Sequence, residues 1–462
     1  MKRLLSIALI AALASAMPAV AQDTQGRPAV IAKPVILGES HYEGEWGPKP
    51  YDFITRKQAY WTILSGGAGH AYGAKGIWRW GDLRWDQDFP AALNAASAAQ
   101  MKHTSDLFTT RAWHKLVPDL DGTVMTAGAG EGVDYATTAR ASDGSLVIAY
   151  IPTPRTVSID MGRLAGPVMA RWFDPTNGKY RAIAGSALAN SGRRDFATPG
   201  NNAIGHGDWV LVLETGRPRA AAPAPAFPLK VSRTGRHLVD RHGRPFFYQA
   251  DTPWWMIWKG KPADIHAYLV NRKARGFNTL QIMVLPAGAA PEAHLVNEPD
   301  VNGNRPFPNG RILDVASVSE AYMRHADEVI RQASAAGFYL VLAPAWFGAK
   351  GGDFEVYIND HNATAWGRYL ANRYRAYQNI AWIVAGDSNA EGKASAVHAM
   401  ARAFKAIAPH QLVTAHAGVQ SSFTQYHSES WLDFNMAYDY TWGGAWVYPQ
   451  VRRDYQGGVG SR

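Results

Sequence analysis

The sequence predicts an α/β protein: a (β/α)8 TIM barrel whose strands are split between two distant segments, with an antiparallel β-sandwich inserted between them. Three observations predict it. Residues 229–456 alternate six apolar strands with amphipathic helices, the pattern of a parallel sheet buried on both faces. Residues 28–118 offer two further strands of the same kind with their helices. Six strands alone leave open edges and two cannot bury both faces, whereas together they close a barrel. Between them, residues 119–215 switch to short alternating strands separated by turn dipeptides such as Asp143-Gly144 and Asn177-Gly178, the signature of a small sandwich.

At the N-terminus, Lys2 and Arg3 precede an apolar run from Leu4 to Met17 and the small-x-small site Ala19-Val20-Ala21. This pattern predicts a signal peptide over 1–21 and an exported protein, periplasmic or secreted. The run is too short to span a bilayer. Val35-Ile36-Leu37 is a short buried strand. Arg56 to Ser65 has helical spacing, with Ala59, Tyr60, Ile63 and Leu64 on one face. Gly69-His70-Ala71-Tyr72-Gly73 is the second strand, and Phe89 to Leu107 reads as a helix. The sandwich strands fall at 136–140, 146–151, 157–159, 169–173 and 209–213. Residues 216–228 are rich in Pro and Ala and form an extended, semi-rigid linker. A hairpin through Leu238-Val239-Asp240 leads into the strand ending at Tyr248, and strands follow at 279–284, 339–343, 380–384, 412–415 and 434–438. Helical spacing covers 262–275, 319–336, 363–376 and 393–407.

Composition narrows the function. A hydrophobic content of 47% supports a large core, and cysteine is absent, so stability rests on packing rather than disulfides. The formal net charge of +9 is scattered along the chain rather than gathered into the stripe that nucleic acid requires. Beyond the signal, no segment is apolar enough to cross a membrane. No Gly-x-Ser-x-Gly elbow, His-Glu-x-x-His helix or phosphate-cradling Gly-x-x-x-x-Gly-Lys-Ser loop is present, and no cofactor or metal is expected. Seventeen Trp residues are many for this length, and their flat apolar faces suit sugar rings. The oligomeric state is open.

Two carboxylates end barrel strands: Glu39 after Val35-Ile36-Leu37-Gly38, and Asp387 after Ile380 to Gly386. Barrel enzymes place catalytic groups at such C-terminal tips, and glycoside hydrolysis needs two carboxyl groups flanking the anomeric carbon. Glu43, Glu45 and Glu391 are rival carboxylates, with Glu43 read as a positioning residue. Other tips and the loops after them supply candidate sugar ligands. Asp251 is either a sugar-hydroxyl acceptor or structural. Of Trp254 and Trp255, one floors the site and the other packs beneath. Asn389, His416, Tyr438, His70 and Tyr72 lie at the mouth, and Trp78 and Trp346 are candidate stacking platforms.

These stretches make a specific resemblance. Phe246 to Thr252, Arg275-Gly276-Phe277-Asn278, Asn379 to Asp387, Trp431 to Met436, Lys33 to Glu39 and Gly69 to Gly73 resemble the apiosidase-like glycoside hydrolases of family 140. Trp172-Phe173-Asp174-Pro175 and Asp208 to Leu213 resemble the β-sandwich appended to them, labelled as collagen-binding. The resemblance implies a retaining glycosidase acting on polysaccharide side chains or oligosaccharides, with Glu39 as nucleophile on the seventh strand and Asp387 as acid/base on the fourth. It also implies that the chain is circularly permuted, since the family runs barrel then sandwich. A fusion of gene segments and an exchange of segments between two chains are the alternative origins of this order. Where the family usually has a second Gly before the Asp, this chain has Ala385. The alternative function is a non-catalytic carbohydrate-binding or cell-surface protein with a degenerate barrel.

Overall fold

The computed structural model describes residues 32–45, 50–81, 89–185, 187–220, 222–288, 293–348, 352–418 and 420–457. The expected signal peptide lies outside them. In chain order the elements begin with β1 (Val35–Glu39), α1 (Tyr51–Leu64), β2 (Gly69–Tyr72), α2 (Lys75–Trp78), α3 (Phe89–Leu93) and α4 (Ala96–Thr109). Nine strands follow: β3 (Leu116–Pro118), β4 (Met125–Ala127), β5 (Thr137–Ala141), β6 (Leu146–Ile151), β7 (Thr156–Asp160), β8 (Met169–Phe173), β9 (Tyr180–Ala182), β10 (Arg193–Ala197) and β11 (Trp209–Glu214). A three-stranded ribbon of β12 (Lys230–Val231), β13 (Leu238–Val239) and β14 (Pro245–Phe246) precedes β15 (Tyr248–Asp251), α5 (Met256–Lys259), α6 (Pro262–Ala274) and β16 (Thr279–Met283). The chain continues through α7 (Glu320–Ala335), β17 (Tyr339–Ala343), α8 (Asp360–Tyr374), β18 (Ile380–Ala385), α9 (Ala394–Ile407) and β19 (Leu412–His416). It ends with β20 (Gln420–Ser421), α10 (Ser422–Tyr426), β21 (Asn435–Tyr438) and α11 (Val447–Tyr455).

One parallel sheet runs in the order β19-β18-β17-β16-β15-β2-β1-β21, with the short β20 added antiparallel. The seventh and eighth barrel strands are therefore the first two in the chain. β2 fills the place beside β15, pairing Tyr248 with Gly69 and Asp251 with Tyr72. β1 lies between β2 and β21. The remaining gap, between β19 and β21, is bridged by Asp433 N–H donating to Val413 O at 2.9 Å and Thr414 Oγ1 donating to Phe434 O at 2.7 Å. The eight strands thus form a nearly closed barrel. Its strands read as continuous apolar runs because helices cover their outer faces. Local signals start those helices where the structure has them: Ser319 caps α7 by accepting from Tyr322 N, and Asn359 with Asn362 makes a capping box on α8.

The two ends of the barrel segments meet at one turn. The Ala32 carbonyl oxygen would lie 2.2 Å from a Cβ built on Gly235. On the next residue, the Arg236 guanidinium sits 3.9 Å above the Tyr455 ring and donates to the Tyr455 carbonyl. The strand-seven segment and the helix that follows strand six thus converge on neighbouring residues, as a barrel with these connections requires.

β3 to β11 form two antiparallel sheets, ordered β3-β5-β6-β11-β8-β9 and β10-β7-β4. Val147, Ile151, Leu211, Val157, Ile159 and Phe196 from both sheets fill the core between them. The opposite face of the larger sheet is buried on the barrel: Tyr60 of α1 stacks on Tyr150 of β6 with ring centroids 4.9 Å apart. Beside them Arg56 of α1 donates to Asp208 through two nitrogens, each at 2.8 Å, and both side chains are fully buried. The helix of barrel strand seven is therefore also the dock for the sandwich, which explains why buried charge appears on α1.

Candidate active site

Glu39 and Asp387 face each other across the C-terminal mouth of the barrel. Glu39 is the last residue of β1, and the register with β21 shifts between Leu37 and Glu39. Such a bulge re-aims the side chain that follows it. Gly38 leaves room beside it: a Cβ there would lie 1.9 Å from Met436 Cγ, so the Met436 side chain fills the space a larger residue would need. Asp387 leaves β18 through three consecutive residues with positive φ, Ala385 at 66°, Gly386 at 124° and Asp387 at 49°. Gly386 lies against Trp346, whose ring carbon would be 2.4 Å from any Cβ at that position. With Ala390 at 51°, three non-glycine residues on one loop are left-handed, strain of the kind that collects at functional sites.

His416, the last residue of β19, lies between the carboxylates. Its Nε2 is 2.7 Å from Glu39 Oε2 and its Nδ1 is 3.7 Å from Asp387 Oδ1. The Asp387 N–H points at Nδ1 from 3.4 Å, which leaves the proton of the neutral ring on Nε2, facing Glu39. Tyr440 donates to the other Glu39 oxygen at 3.1 Å. Trp346 Nε1 donates to Asp387 Oδ2 at 3.3 Å. Trp254 lies 4.7 Å from Trp346 between ring centroids, and its N–H donates to Tyr42 Oη at 2.7 Å. Tyr438 packs edge-on against His416 at 5.1 Å.

These neighbours set the protonation states. Burial in the pocket, and then the Glu39 charge, push the Asp387 carboxyl up to about 7, against the pull of His416 and the Trp346 hydrogen bond. Burial opposes charge on His416, but the hydrogen bond and charge of Glu39, followed by Asp387, outweigh it and raise its pKa. Glu45 is pushed up to about 7 by desolvation, with Trp78 N–H opposing and Glu39 adding to the rise. Two carboxyls at one mouth are thereby placed to hold protons near neutrality, while Glu39 takes the Tyr440 hydrogen bond and lies beside His416.

One carboxylate oxygen each from Glu39 and Asp387 and one nitrogen of His416 lie within 4.8 Å of one another, and among the described residues no other such group could gather on a metal ion. The ring turns different nitrogens to the two carboxylates, however. The 2.7 Å approach to Glu39 is also shorter than the roughly 3.4 Å between ligands on a tetrahedral ion. The arrangement fits a proton-linked pair better than a ligand set.

The remaining expected site residues divide into three groups. Trp254 borders the cluster of Glu39, His416 and Asp387, while Trp255 packs beneath, against Trp258 at 4.5 Å and Trp78 at 5.3 Å. Trp78 is not an open platform: Arg79 covers it at 4.2 Å, and its N–H donates to Glu45 at 3.1 Å. Trp346 is 2% exposed and serves to hold Asp387. Asn389 stays exposed on the Asp387 loop, with Gln425 donating to its carbonyl. Three residues are corrected. Asp251 is fully buried, ion-paired with Arg272 and bonded by Tyr268 at 2.7 Å, so it ties β15 to α6 and meets no sugar. His70 contacts Met101 Sδ at 3.0 Å under α4, where burial pulls its pKa down to about 4. Tyr72 donates to Glu43 at 2.9 Å, and Ser97 of α4 binds the same oxygen. Tyr72 and Asp251 end their strands and His70 is the second residue of β2, and all three lie on the face turned to the helices. Glu43 is accordingly a positioning residue, locking the loop after Glu39. Sequence reasoning missed Tyr42 and Tyr440, which lie three and two residues past recognised tips and gave no signal beyond being aromatic.

The model of the apiosidase-like catalytic domain matches residues 15–115 and 232–459, and that of the "Putative collagen-binding domain of a collagenase" matches 117–214. A solved structure described as a glycoside hydrolase is 28% identical over 46% of this chain and 47% of its own, with a TM-score of 0.41. A family 5 glycoside hydrolase from Bacteroides vulgatus ATCC 8482 is 29% identical over 45% of this chain and 43% of its own, with a TM-score of 0.40. The chain thus spans under half the length of both. No curated protein matches it. Because the catalytic-domain model spans well over half of the chain, in the two segments that together build one barrel, this chain belongs to the apiosidase-like family of glycoside hydrolases.

Proposed function

We propose that the protein is an exported retaining glycosidase acting on polysaccharide side chains or oligosaccharides, with Glu39 as nucleophile and Asp387 as acid/base. One observation carries the reading: oxygens of the two carboxylates lie within 4.8 Å of one another. Retaining enzymes hold their carboxyls about 5–5.5 Å apart, and inverting enzymes about 6.5–9.5 Å, to leave room for a water.

In the first step Glu39 attacks the anomeric carbon while Asp387 gives its proton to the leaving oxygen. Tyr440 and His416 orient the attacking carboxylate. In the second step a water attacks the glycosyl ester and Asp387 takes its proton. The switch from acid to base follows from the electrostatics. The Glu39 charge is among the causes that hold the Asp387 carboxyl up, and esterification removes that charge. Asp387 is then more readily ionised, at the moment it must accept a proton from water. The order of segments is read as a circular permutation of the family's barrel-then-sandwich arrangement, and residues 1–21 as its export signal.

The test is covalent trapping. A 2-deoxy-2-fluoro glycoside with a good leaving group is expected to label the protein on the peptide containing Glu39, and Glu39→Ala to lose both label and turnover. Labelling elsewhere, or a Glu39→Ala protein that turns over at the parent rate, would remove the assignment.

A further inference from the structure

We propose that Glu45 forms a hydroxyl-binding subsite for the sugar ring that Glu39 attacks, and so selects the glycone. The proposal rests on the assignment of Glu39 as nucleophile and extends it. Glu45 follows the end of β1 by six residues, on the loop between β1 and α1. Its backbone is fixed there by Glu45 N–H donating to Tyr42 O at 3.2 Å and Glu43 N–H donating to Gly73 O at 2.9 Å. An unbroken aromatic wall connects it to the nucleophile. Tyr440 holds Glu39, Tyr42 packs on Tyr440 at 5.9 Å and on Trp78 at 6.4 Å, and Trp78 N–H holds one Glu45 oxygen. Glu45 therefore stands on the Glu39 side of the mouth, whereas Asp387 and Trp346 occupy the other side. A group on the nucleophile side meets the ring being transferred, and a group on the acid side meets the leaving portion.

The second Glu45 oxygen has no partner among the described residues, and it is not sealed from the surface as the buried polar atoms of the core are. Burial raises this carboxyl and the Glu39 charge adds to the rise, while the Trp78 N–H, Arg79 and Lys75 oppose it. A half-buried carboxyl with one oxygen fixed and the other free is a directed acceptor, or a donor when protonated. The ligand it suits is a hydroxyl of a neutral sugar. Leaving such a polar group unmatched penalises a ring that lacks the hydroxyl.

The test uses the full-length protein, a 4-nitrophenyl glycoside that the parent cleaves, and its monodeoxy analogues. Glu45→Ala is expected to lower kcat/KM for the full sugar on the order of tenfold or more, the loss of a hydrogen bond to a charged group. One deoxy analogue should suffer the same loss with the parent but no further loss with Glu45→Ala, and Glu45→Gln should restore part of the rate. Glu45→Ala losing equally on every analogue, or staying within twofold of the parent on the full sugar, overturns the proposal. Thermal unfolding of Glu45→Ala at the parent temperature is expected, and a collapsed midpoint would assign the residue to folding instead. Glu39→Ala measured alongside separates the two claims: if it is inactive while Glu45 shows no coupling, only the subsite fails.

Discussion

Replacing Asp387 by asparagine should make the protein more stable at pH 8 while removing the carboxyl proposed as acid/base. The Asp387 carboxyl sits at about 7 in the folded protein against 3.8 for the free group. Between these values the folded state holds a proton that the unfolded state has released. Stability therefore falls as pH rises from about 4 to about 7, because the unfolded chain binds fewer protons over that window. A shift of roughly three units corresponds to about 4 kcal/mol at 1.36 kcal/mol per unit. The side chain is 27% exposed, so water screens part of this, and about 2 kcal/mol is the expected share. The asparagine side chain of the variant carries no charge at any pH and escapes that penalty. Urea unfolding at pH 4.5 and pH 8 should show parent and variant close together at the lower pH and the variant ahead by about 2 kcal/mol at the higher. A variant less stable than the parent by the same amount at both pH values would refute the electrostatic account of the site.

Three further outcomes follow from the same contacts. Asp208→Ala leaves Arg56 buried without its bidentate partner, and the loss should be about 3–5 kcal/mol, reduced toward the lower value because Gln100 still accepts from Arg56 at 2.6 Å; urea unfolding of the full-length protein checks it. Ala385→Gly relieves a left-handed alanine and should raise stability by about 1 kcal/mol with activity retained, read as a higher thermal midpoint. Trp346→Phe removes a donor that lowers the Asp387 pKa, so the alkaline limb of kcat/KM should move up from about 7, measured as a pH–rate profile with an aryl glycoside.

The barrel was legible because its strands are apolar on both faces and its count closed only when distant segments were joined. The sandwich was read from five strands. β3, β4, β9 and β10 escaped because they are short or carry exposed polar residues, as at Arg193–Ala197. That Glu39 and Asp387 would meet at one mouth was legible because both carboxylates end runs of apolar residues. The sugar ligands were less so, since a strand tip fixes height in the barrel but not the face. Side chains alternate with a period of two, and at Tyr72 and Asp251 the last residue points to α4 and α6 rather than into the mouth. At Glu39 the reverse holds, because a bulge at Gly38 aims it inward, and no pattern of types announces a bulge. Tyr42, Tyr440 and Glu45 act from loops whose path only the assembled fold defines. The left-handed φ of Ala385 gives a physical reason for the family's glycine at that position.

The stereochemistry of the first product tests the central claim most directly. Cleavage of an aryl glycoside followed by proton NMR within the first minutes is predicted to release a sugar with the anomeric configuration of the substrate, mutarotating only later. Initial release of the opposite anomer would contradict it, since Glu39 would then be activating a water and not attacking the sugar itself.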